Sequence, residues 1–323
     1  MDKTINIGPW PLAAVSSPGS APTTLFCRDI GSGPTIVLLH GFAEDSAIWD
    51  NLLGPSSPHC RLIIPDLPGS GRSSALPTPC TSTADPTGTA ASFSSTAAAP
   101  ITSALPDHSA VASNIGRSLE RPLTIEDLAT AVKILLDHLD IEKCIMIGHS
   151  MGGYIALAFA EKYPDSLTAL GLFHSTAYPD SEEKRTIRRK SIEFIRKNGA
   201  DPFIRQSTPS LFGYYTHQHH PELIAEMTTR YAAFPPDSLI AYYEAMIARP
   251  DRTAVLRDFH GPVLFIIGEE DTIIPLQSAL EQCHLPAVSH IHLVKNTGHE
   301  GMYEAPGPCN DILHDFINFV QQA

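Results

Sequence analysis

A serine stands between two glycines in the stretch G-H-S-M-G at residues 148–152. The apolar run C-I-M-I precedes it and the run Y-I-A-L-A-F-A follows, which predicts a strand turning directly into a helix. Such a turn exposes the serine hydroxyl in a strained conformation, and the amides that begin the helix favour negative charge beside it. We therefore expect Ser150 to attack a carbonyl group; the alternative is a serine that caps the helix.

A serine hydroxyl is a weak nucleophile unless a histidine takes its proton and a carboxylate orients that histidine. The run V-L-F-I-I-G is followed by the acidic loop E-E-D, and we expect its Asp271 to be this carboxylate. Glu269 and Glu270 adjoin it, and solvated loop carboxylates are the alternative for all three. Asp180, which follows an earlier apolar run, is a second candidate for the acid.

The expected base comes last in the chain. The loop N-T-G-H-E, which contains His299, follows the run H-I-H-L-V and gives the order serine, acid, histidine. This order is the one that a serine in a strand-turn-helix motif of this kind predicts. His290 and His292 lie within the run itself and face the same side, so we interpret them as packing or surface residues.

Attack on a carbonyl creates an oxyanion, which two backbone amides are expected to stabilise. Met151, the residue after the nucleophile, is one expected donor. Phe42 is the other, because it belongs to the H-G-F turn that follows the apolar run at residues 35–40. Its side chain would then shape the pocket for the acyl group. A plain turn at H-G-F is the alternative.

The rest of the chain alternates short β-branched runs with helical patterns. Thr124 is expected to cap a helix whose leucines recur at 3.6-residue spacing, and a last helix is expected at about residues 310–320. Strands that alternate with helices indicate a parallel sheet with helices on both faces. The expected strands are at residues 35–40, 61–66, 144–147, 167–173, 263–268 and 290–294.

Two regions interrupt this alternation. Within residues 75–121, the stretch 77–104 consists almost entirely of Ser, Thr, Ala, Pro and Gly. It has too little apolar surface to order itself, so we interpret it as a flexible insertion in a surface loop, with an ordered lid as the alternative. Residues 176–258 are helical, rich in aromatic residues and placed between two strands, which indicates an excursion from the core.

Five motifs together resemble the α/β-hydrolase superfamily: H-G-F (40–42), D-L-P-G-S-G-R-S (66–73), G-H-S-M-G-G (148–153), G-E-E-D-T-I-I-P (268–275) and G-H-E (298–300). The resemblance covers residues 24–74 and 122–323. It implies an eight-stranded, mostly parallel sheet with a core at residues 24–175 and 259–323, and it implies that residues 176–258 form a helical cap over the active site. Residues 1–23 depart from the family's usual opening and are interpreted as an N-terminal extension.

Charge and composition argue against some classes of binding partner and indicate the compartment. The net charge of −13 argues against nucleic acid or an anionic membrane as a partner, and no run of 18 apolar residues predicts a membrane span. Six scattered cysteines without a C-x-x-C pair indicate free thiols in a reducing compartment, hence the cytoplasm. The sequence leaves the oligomeric state open.

Two further signals have mainly structural interpretations. His217, His219 and His220 are interpreted as surface residues, since a metal site, the alternative, lacks a partner motif. The charges at residues 181–190 are interpreted as a solvated helix face, and the alternative is a docking patch for an anionic substrate or a carrier protein. No glycine-rich dinucleotide fingerprint occurs, so no cofactor is expected.

The sequence therefore predicts a cofactor-free serine hydrolase. Ser150, His299 and Asp271 would act as nucleophile, base and orienting acid on a small-molecule substrate. A carboxylic ester of a small or medium, partly apolar compound is the expected substrate, by analogy with the family. C–C bond hydrolases, thioesterases, lactonases and cofactor-free haloperoxidases use the same triad and stay open. A ligand receptor with slow turnover is the alternative from a different class.

Overall fold

Eight strands fall within residues 1–8, 23–52, 60–76 and 121–322, the part of the chain that the computed structural model describes. They are β1 (Asp2–Gly8), β2 (Thr23–Gly31), β3 (Thr35–Leu39), β4 (Arg61–Pro65), β5 (Cys144–His149), β6 (Leu167–Phe173), β7 (Val263–Gly268) and β8 (Ser289–Val294). One sheet contains them in the order β1-β2-β4-β3-β5-β6-β7-β8. The pairs β1·β2 and β2·β4 are antiparallel, and every other neighbouring pair is parallel. The predicted eight-stranded, mostly parallel sheet is confirmed.

The six runs that predict strands form the parallel part of this sheet. Every residue of β5 and β7 is buried, as expected for strands that are covered by helices on both faces. The edge strand β8 differs, because its Ile291 and Leu293 are exposed to solvent. The strongest apolar runs therefore mark the centre of the sheet, where the loops of the candidate site begin.

The first strand corrects the interpretation of residues 1–23 as an N-terminal extension. Asp2–Gly8 pairs antiparallel with β2 and so belongs to the sheet. Ile7 is buried, and Lys3 forms an ion pair with Asp29 at 2.5 Å. Only two isoleucines alternate with polar residues in this strand, so its periodic signal is too short to distinguish it from a loop.

Helices cover the sheet, and six of them lie between β6 and β7 in the chain. Thr124 caps the first helix, since its side chain accepts from the Asp127 amide and the Asp127 carboxylate accepts from the Thr124 amide at 3.0 Å. The α-helices of the described residues are α1 (Ile125–His138), α2 (Met151–Lys162), α3 (Glu182–Asn198), α4 (Ala200–Ser207), α5 (Tyr214–His219), α6 (Pro221–Tyr231), α7 (Pro236–Ala248), α8 (Thr253–Asp258), α9 (Leu276–Leu280), α10 (Gly301–Glu304) and α11 (Pro306–Gln322).

Helices α3 to α8 form a helical insertion within residues 176–258. Two hydroxyl groups connect it to the sheet loops: Tyr242 donates to the Pro68 carbonyl at 2.6 Å, and Tyr231 donates to the Asp45 carboxylate at 3.2 Å. Pro68 and Asp45 follow β4 and β3, so the insertion lies against the carboxyl ends of the parallel strands. That edge is where open α/β sheets bind their ligands.

The low-complexity stretch lies outside the part of the chain that the structure describes. Residues 77–120, which hold nearly all of the segment interpreted as a flexible insertion, lie outside the described residues. Among the helices that are described, none combines the length and the apolar character needed to cross a bilayer.

Candidate active site

Ser150 occupies the turn between β5 and α2. Its φ of 49° and ψ of −114° are strained for a residue that carries a side chain. Two hydrogen bonds hold the turn: the Ser150 amide donates to the Phe173 carbonyl at 3.0 Å, and Ser175 Oγ donates to the Ser150 carbonyl at 2.7 Å. The neighbouring strand β6 and the residues after it thus support the strained conformation.

The glycines two residues before and after Ser150 allow close backbone packing. A Cβ atom at Gly148 would lie 2.2 Å from the backbone of Gly152, and one at Gly152 would lie 2.3 Å from the Leu39 carbonyl oxygen. Both distances are well below van der Waals contact. The spacing G-x-S-x-G is therefore explained by the packing of β3, β5 and α2, the role that the sequence pattern predicts.

Asp271 and His299 meet through a direct hydrogen bond. The His299 Nδ1 atom lies 2.8 Å from Asp271 Oδ2, and both side chains are buried. The other carboxylate oxygen accepts from the amides of Ile273 at 2.8 Å and Ile274 at 2.9 Å, which fixes the carboxylate in one orientation. The structure therefore brings together the expected acid and the expected base from the loops after β7 and β8.

The Asp271 carboxyl is held in its ionised form. Burial acts to raise the pKa of this group, but the His299 and His174 rings beside it outweigh that effect, and the pKa lies well below the ordinary value. Burial lowers the pKa of His174 to about 4, so this ring is neutral; its Nδ1 atom lies 3.1 Å from the Gly268 amide nitrogen and 3.5 Å from Asp271 Oδ2. An ionised Asp271 can stabilise an imidazolium at His299.

A cavity of about 340 Å³ contains both Ser150 and His299 in its lining. Most of its remaining wall comes from the helical insertion, including Phe203, Met227 and Tyr243. The Ser150 hydroxyl and the His299 imidazole thus lie beside mainly apolar walls, which suit a partly apolar molecule of modest size.

The expected oxyanion donors lie at the same cavity. Met151 is the first residue of α2 and is buried, while Phe42 lines the cavity and stacks on Tyr243 with ring centroids 4.2 Å apart. No hydrogen-bond acceptor for the Phe42 amide occurs among residues 1–8, 23–52, 60–76 and 121–322. The Gly41 amide, by contrast, donates to Glu44 at 2.5 Å, which fixes the turn that carries Phe42.

A buried cluster of Glu44, His149 and Glu300 adjoins this site, and the sequence analysis did not find it. His149 Nδ1 lies 3.1 Å from the Glu44 carboxylate and His149 Nε2 lies 3.0 Å from the carbonyl oxygen of His299. Both partners only accept hydrogen bonds, so both ring nitrogens donate and His149 is a cation. The cluster connects the loop of Phe42, the turn of Ser150 and the loop of His299.

The charges within the Glu44–His149–Glu300 cluster are complementary. Burial acts to lower the pKa of His149, but the two carboxyl groups outweigh it and raise this pKa to about 9. Burial acts to raise the pKa of Glu44, and His149 reverses this so that the pKa of Glu44 is lowered. Burial and the nearby Glu44 charge raise the pKa of Glu300 well above its ordinary value. These shifts favour the charged forms of His149 and Glu44 and the protonated form of Glu300.

The same three side chains are the described group whose donor atoms lie close enough, within 4.8 Å of one another, to hold a metal ion. Two carboxylates and an imidazole are ligands that divalent metals accept. Both nitrogens of His149 are, however, already engaged by Glu44 and by the His299 carbonyl. The residues as they stand form a hydrogen-bonded charge network.

A sequence signal for this cluster existed. Glu44 lies two residues after Phe42, and Glu300 directly follows His299, so each acid is adjacent to a residue already expected at the site. Phe42 and His299 were expected at one site, but nothing in the sequence indicates that the acids beside them are buried and share a partner. Only the fold reveals that His149 lies between them.

The competing acids are engaged elsewhere. Asp180 accepts from Arg188 at 2.6 Å and forms an ion pair with Arg249 at 2.9 Å. Glu269 and Glu270 accept from backbone amides, at 3.1 Å each, in the loops around the site. None of these carboxylates is hydrogen-bonded to His299.

The discounted histidines also have local partners. His217, His219 and His220 are exposed and form no group with three metal-ligating side chains among the described residues. The ring of His290 packs against Phe319 with centroids 4.4 Å apart.

A family model of the alpha/beta hydrolase fold matches residues 34–306. Together with the sheet order and the strand-turn-helix position of Ser150, this match shows that the chain belongs to the α/β-hydrolase family. It is an enzyme, and its class is hydrolase.

Individual relatives differ in what they cleave. The chain is 22% identical to the putative carbamate hydrolase RutD of Pantoea ananatis over 287 residues, 88% of each chain. It is 27% identical to epoxide hydrolase 3 of Siraitia grosvenorii over 335 residues, 90% of this chain and 93% of that one. A thermophilic esterase from Thermogutta terrifontis has a TM-score of 0.77 at 26% identity, covering 98% of this chain and 99% of its own.

Proposed function

We propose that this hydrolase cleaves a carboxylic ester of a small or medium, partly apolar compound through an acyl-enzyme intermediate. The observation that carries the proposal is the 2.8 Å hydrogen bond between His299 and Asp271, at a cavity that Ser150 also lines. A strained serine, an oriented imidazole and a buried carboxylate are the parts that acyl transfer requires.

The proposed reaction proceeds in two halves. Ser150 Oγ attacks the ester carbonyl while His299 Nε2 takes the hydroxyl proton, and Asp271 holds the opposite ring nitrogen protonated. The amides of Met151 and Phe42 donate to the oxyanion of the tetrahedral intermediate. Its collapse expels the alcohol, which receives the proton from His299. Water, deprotonated by the same ring, then attacks the acyl-enzyme and releases the acid.

The similarity to a thermophilic esterase supports an ester as the substrate. The similarity to a putative carbamate hydrolase makes a carbamate the second candidate substrate. Thioesters, lactones and C–C bonds beside a carbonyl also present an electrophilic carbon to Ser150. Epoxide opening is disfavoured: attack by a serine oxygen on an epoxide would leave an ether, which lacks the carbonyl that water needs for the second half-reaction.

The test is the hydrolysis of p-nitrophenyl esters from acetate to decanoate by the wild type and by Ser150→Ala. We expect multiple turnovers in the wild type and a loss of roughly 10³-fold or more in the variant. Ser278→Ala, on α9 and away from the cavity lining, is the matched control and should retain activity. The acyl chain length that is hydrolysed fastest indicates the size of the acyl pocket.

Absence of nitrophenol release from the wild type would reject the ester proposal. Carbamates, thioesters and C–C substrates would then be assayed in the same pair of proteins. Tight, saturable binding of a ligand with negligible turnover would instead identify a receptor.

A further inference from the structure

A lysine reaches the cavity from the helical insertion. Lys184 lies in the first turn of α3 and lines the same cavity as Ser150 and His299. Its Nζ atom donates to the carbonyl of Ile273 at 2.8 Å, and its side chain is half-buried. An ammonium group has three N–H donors, so two of them remain for other partners.

Two arginines near Lys184 share one carboxylate, which offsets only one of their two positive charges. Arg188 and Arg249 both pair with the buried Asp180 carboxylate, at 2.6 and 2.9 Å. Within the described residues, Lys184 forms no ion pair with any carboxylate, although it lies in the same part of the insertion. Burial and the charges of Arg188 and Arg249 lower the pKa of its ammonium, although the more distant Asp180 and Asp271 carboxylates act to raise it. A partly desolvated cation without a direct ion-pair partner, at a ligand cavity, can bind an anion.

The sheet order separates this cation from Glu44, one of the two acids that line the cavity. The other, Glu300, follows β8 beside β7, and its raised pKa favours the neutral form. Ile273, which holds Lys184, follows β7, whereas Glu44 follows β3. Strand β5, which ends at Ser150, lies between β3 and β7 in the sheet. Lys184 therefore stands across the nucleophile from Glu44. The Glu44 charge is compensated by His149, so it leaves little field to oppose an anion bound at Lys184.

We propose that Lys184 binds a carboxylate of the substrate, so that the preferred substrate is an anionic ester with its carboxylate several bonds from the scissile carbonyl. This inference rests on the proposed ester hydrolysis. The apolar cavity walls would contact the connecting carbon chain, and the ammonium would fix the end of the molecule away from Ser150. A carboxylate in the acyl half and one in the alcohol half share this chemistry.

The experiment compares charged and neutral esters of matched length. Monomethyl adipate and monomethyl suberate carry the carboxylate in the acyl half, and O-butyryl 4-hydroxybutyrate carries it in the alcohol half. Methyl hexanoate, methyl octanoate and butyl butyrate are their neutral counterparts. Product release is followed by chromatography for the wild type, Lys184→Met, Lys184→Arg and Lys190→Met, the last being an exposed lysine of the same helix.

We expect the wild type to prefer one anionic series over its neutral counterpart by about 10- to 100-fold in kcat/KM, the range of a charge-assisted hydrogen bond. In Lys184→Met the ratio of anionic to neutral kcat/KM should fall toward unity, mainly through KM. Lys184→Arg should restore much of it, and Lys190→Met should resemble the wild type. The preferred series identifies the half of the ester that carries the carboxylate.

Two outcomes are distinguishable. Hydrolysis of neutral esters without an anionic preference, or an equal effect of Lys184→Met on both series, would overturn the role of Lys184 and leave the ester proposal intact. A lysine whose carbon chain merely covers the cavity wall would give this result. No hydrolysis of either series by the wild type would instead reject the ester proposal itself.

Discussion

At the scale of residues, the unexpected feature is the charge network behind the reacting groups. His149 precedes Ser150 and contacts the carbonyl of His299 at 3.0 Å, while Glu44 holds His149 and the turn of Phe42. Glu44 and His149 take no part in the bond-making steps of the proposed mechanism. They hold the loops that carry Phe42, Ser150 and His299, so their loss should affect both stability and the positioning of the site.

The network gives the first stability prediction. Glu44→Gln leaves a buried cation without its anion, and breaking such a pair costs about 3–5 kcal/mol. The raised pKa of Glu300 favours its neutral form, and Glu300→Gln substitutes a neutral amide of the same shape, so the free energy of unfolding should change by less than about 1 kcal/mol. Urea unfolding at pH 7 measures both. Equal losses in the two variants would contradict the assigned charges.

The network also predicts a pH dependence of stability. The pKa of His149 rises from 6.5 to about 9 on folding. Its stabilising contribution is therefore complete below pH 6.5 and is lost as the pH rises through about 9. The raised pKa of Glu300 acts in the same direction. We expect the free energy of unfolding to fall by on the order of 3 kcal/mol across this window, and to fall less in Glu44→Gln. Stability that is flat or rising there in the wild type would disprove the cationic His149.

The proposed reacting residues have a clearer signal in the sequence than the residues that support them. Ser150, Asp271 and His299 each follow a strong apolar run, and parallel strands deliver the residues at their carboxyl ends to one edge. Glu44 and Glu300 look like ordinary loop acids in the sequence. Their burial depends on how loops after distant strands pack together, and no local pattern encodes that.

At the scale of elements, the helical insertion is held by a buried charge group. Asp180, just before α3, pairs with Arg188 of α3 and with Arg249, which follows α7. The side chains of Asp180 and Arg249 are almost fully buried, whereas the pair of Asp201 and Arg205 in α4 is exposed. The first group therefore fixes the position of the helices that form the cavity wall.

This difference predicts unequal effects of the same substitution. Asp180→Asn leaves two arginines without their carboxylate, and we expect it to cost about 3–5 kcal/mol of unfolding free energy. Asp201→Asn, the matched control, should cost less than about 1 kcal/mol because its ion pair is solvated. Thermal or urea unfolding of the two variants and the wild type measures these differences. A small effect at Asp180 would mean that packing of the aromatic residues alone holds the insertion.

Elements were predictable in proportion to their burial. The central strands β6 and β7 match their apolar runs at residues 167–173 and 263–268. β1 was missed, because an edge strand with one buried and one partly buried isoleucine resembles a loop. The helical character of the insertion was predicted, and its aromatic residues were expected mainly to pack its own core. That Tyr231 and Tyr242 connect it to the loops after β3 and β4 was not predicted.

At the scale of the whole molecule, two parts of the chain form the candidate site: the loops of the sheet and the helical insertion. The sheet loops supply the proposed nucleophile, acid and base, and the insertion supplies most of the cavity wall, including Lys184. The net charge of −13 repels anions at long range, so recognition of an anionic ester would depend on the local field of Lys184. Chemistry and selectivity are thus assigned to different parts of the chain.

The central claim is that Ser150 is a nucleophile activated by His299 and Asp271. It is tested most directly by labelling with a fluorophosphonate, followed by peptide mapping with mass spectrometry. We predict one adduct, on Ser150, whose rate of formation falls by roughly 10²-fold or more in His299→Ala and in Asp271→Asn. Labelling at another residue, or labelling of Ser150 at an unchanged rate in both variants, would contradict the account.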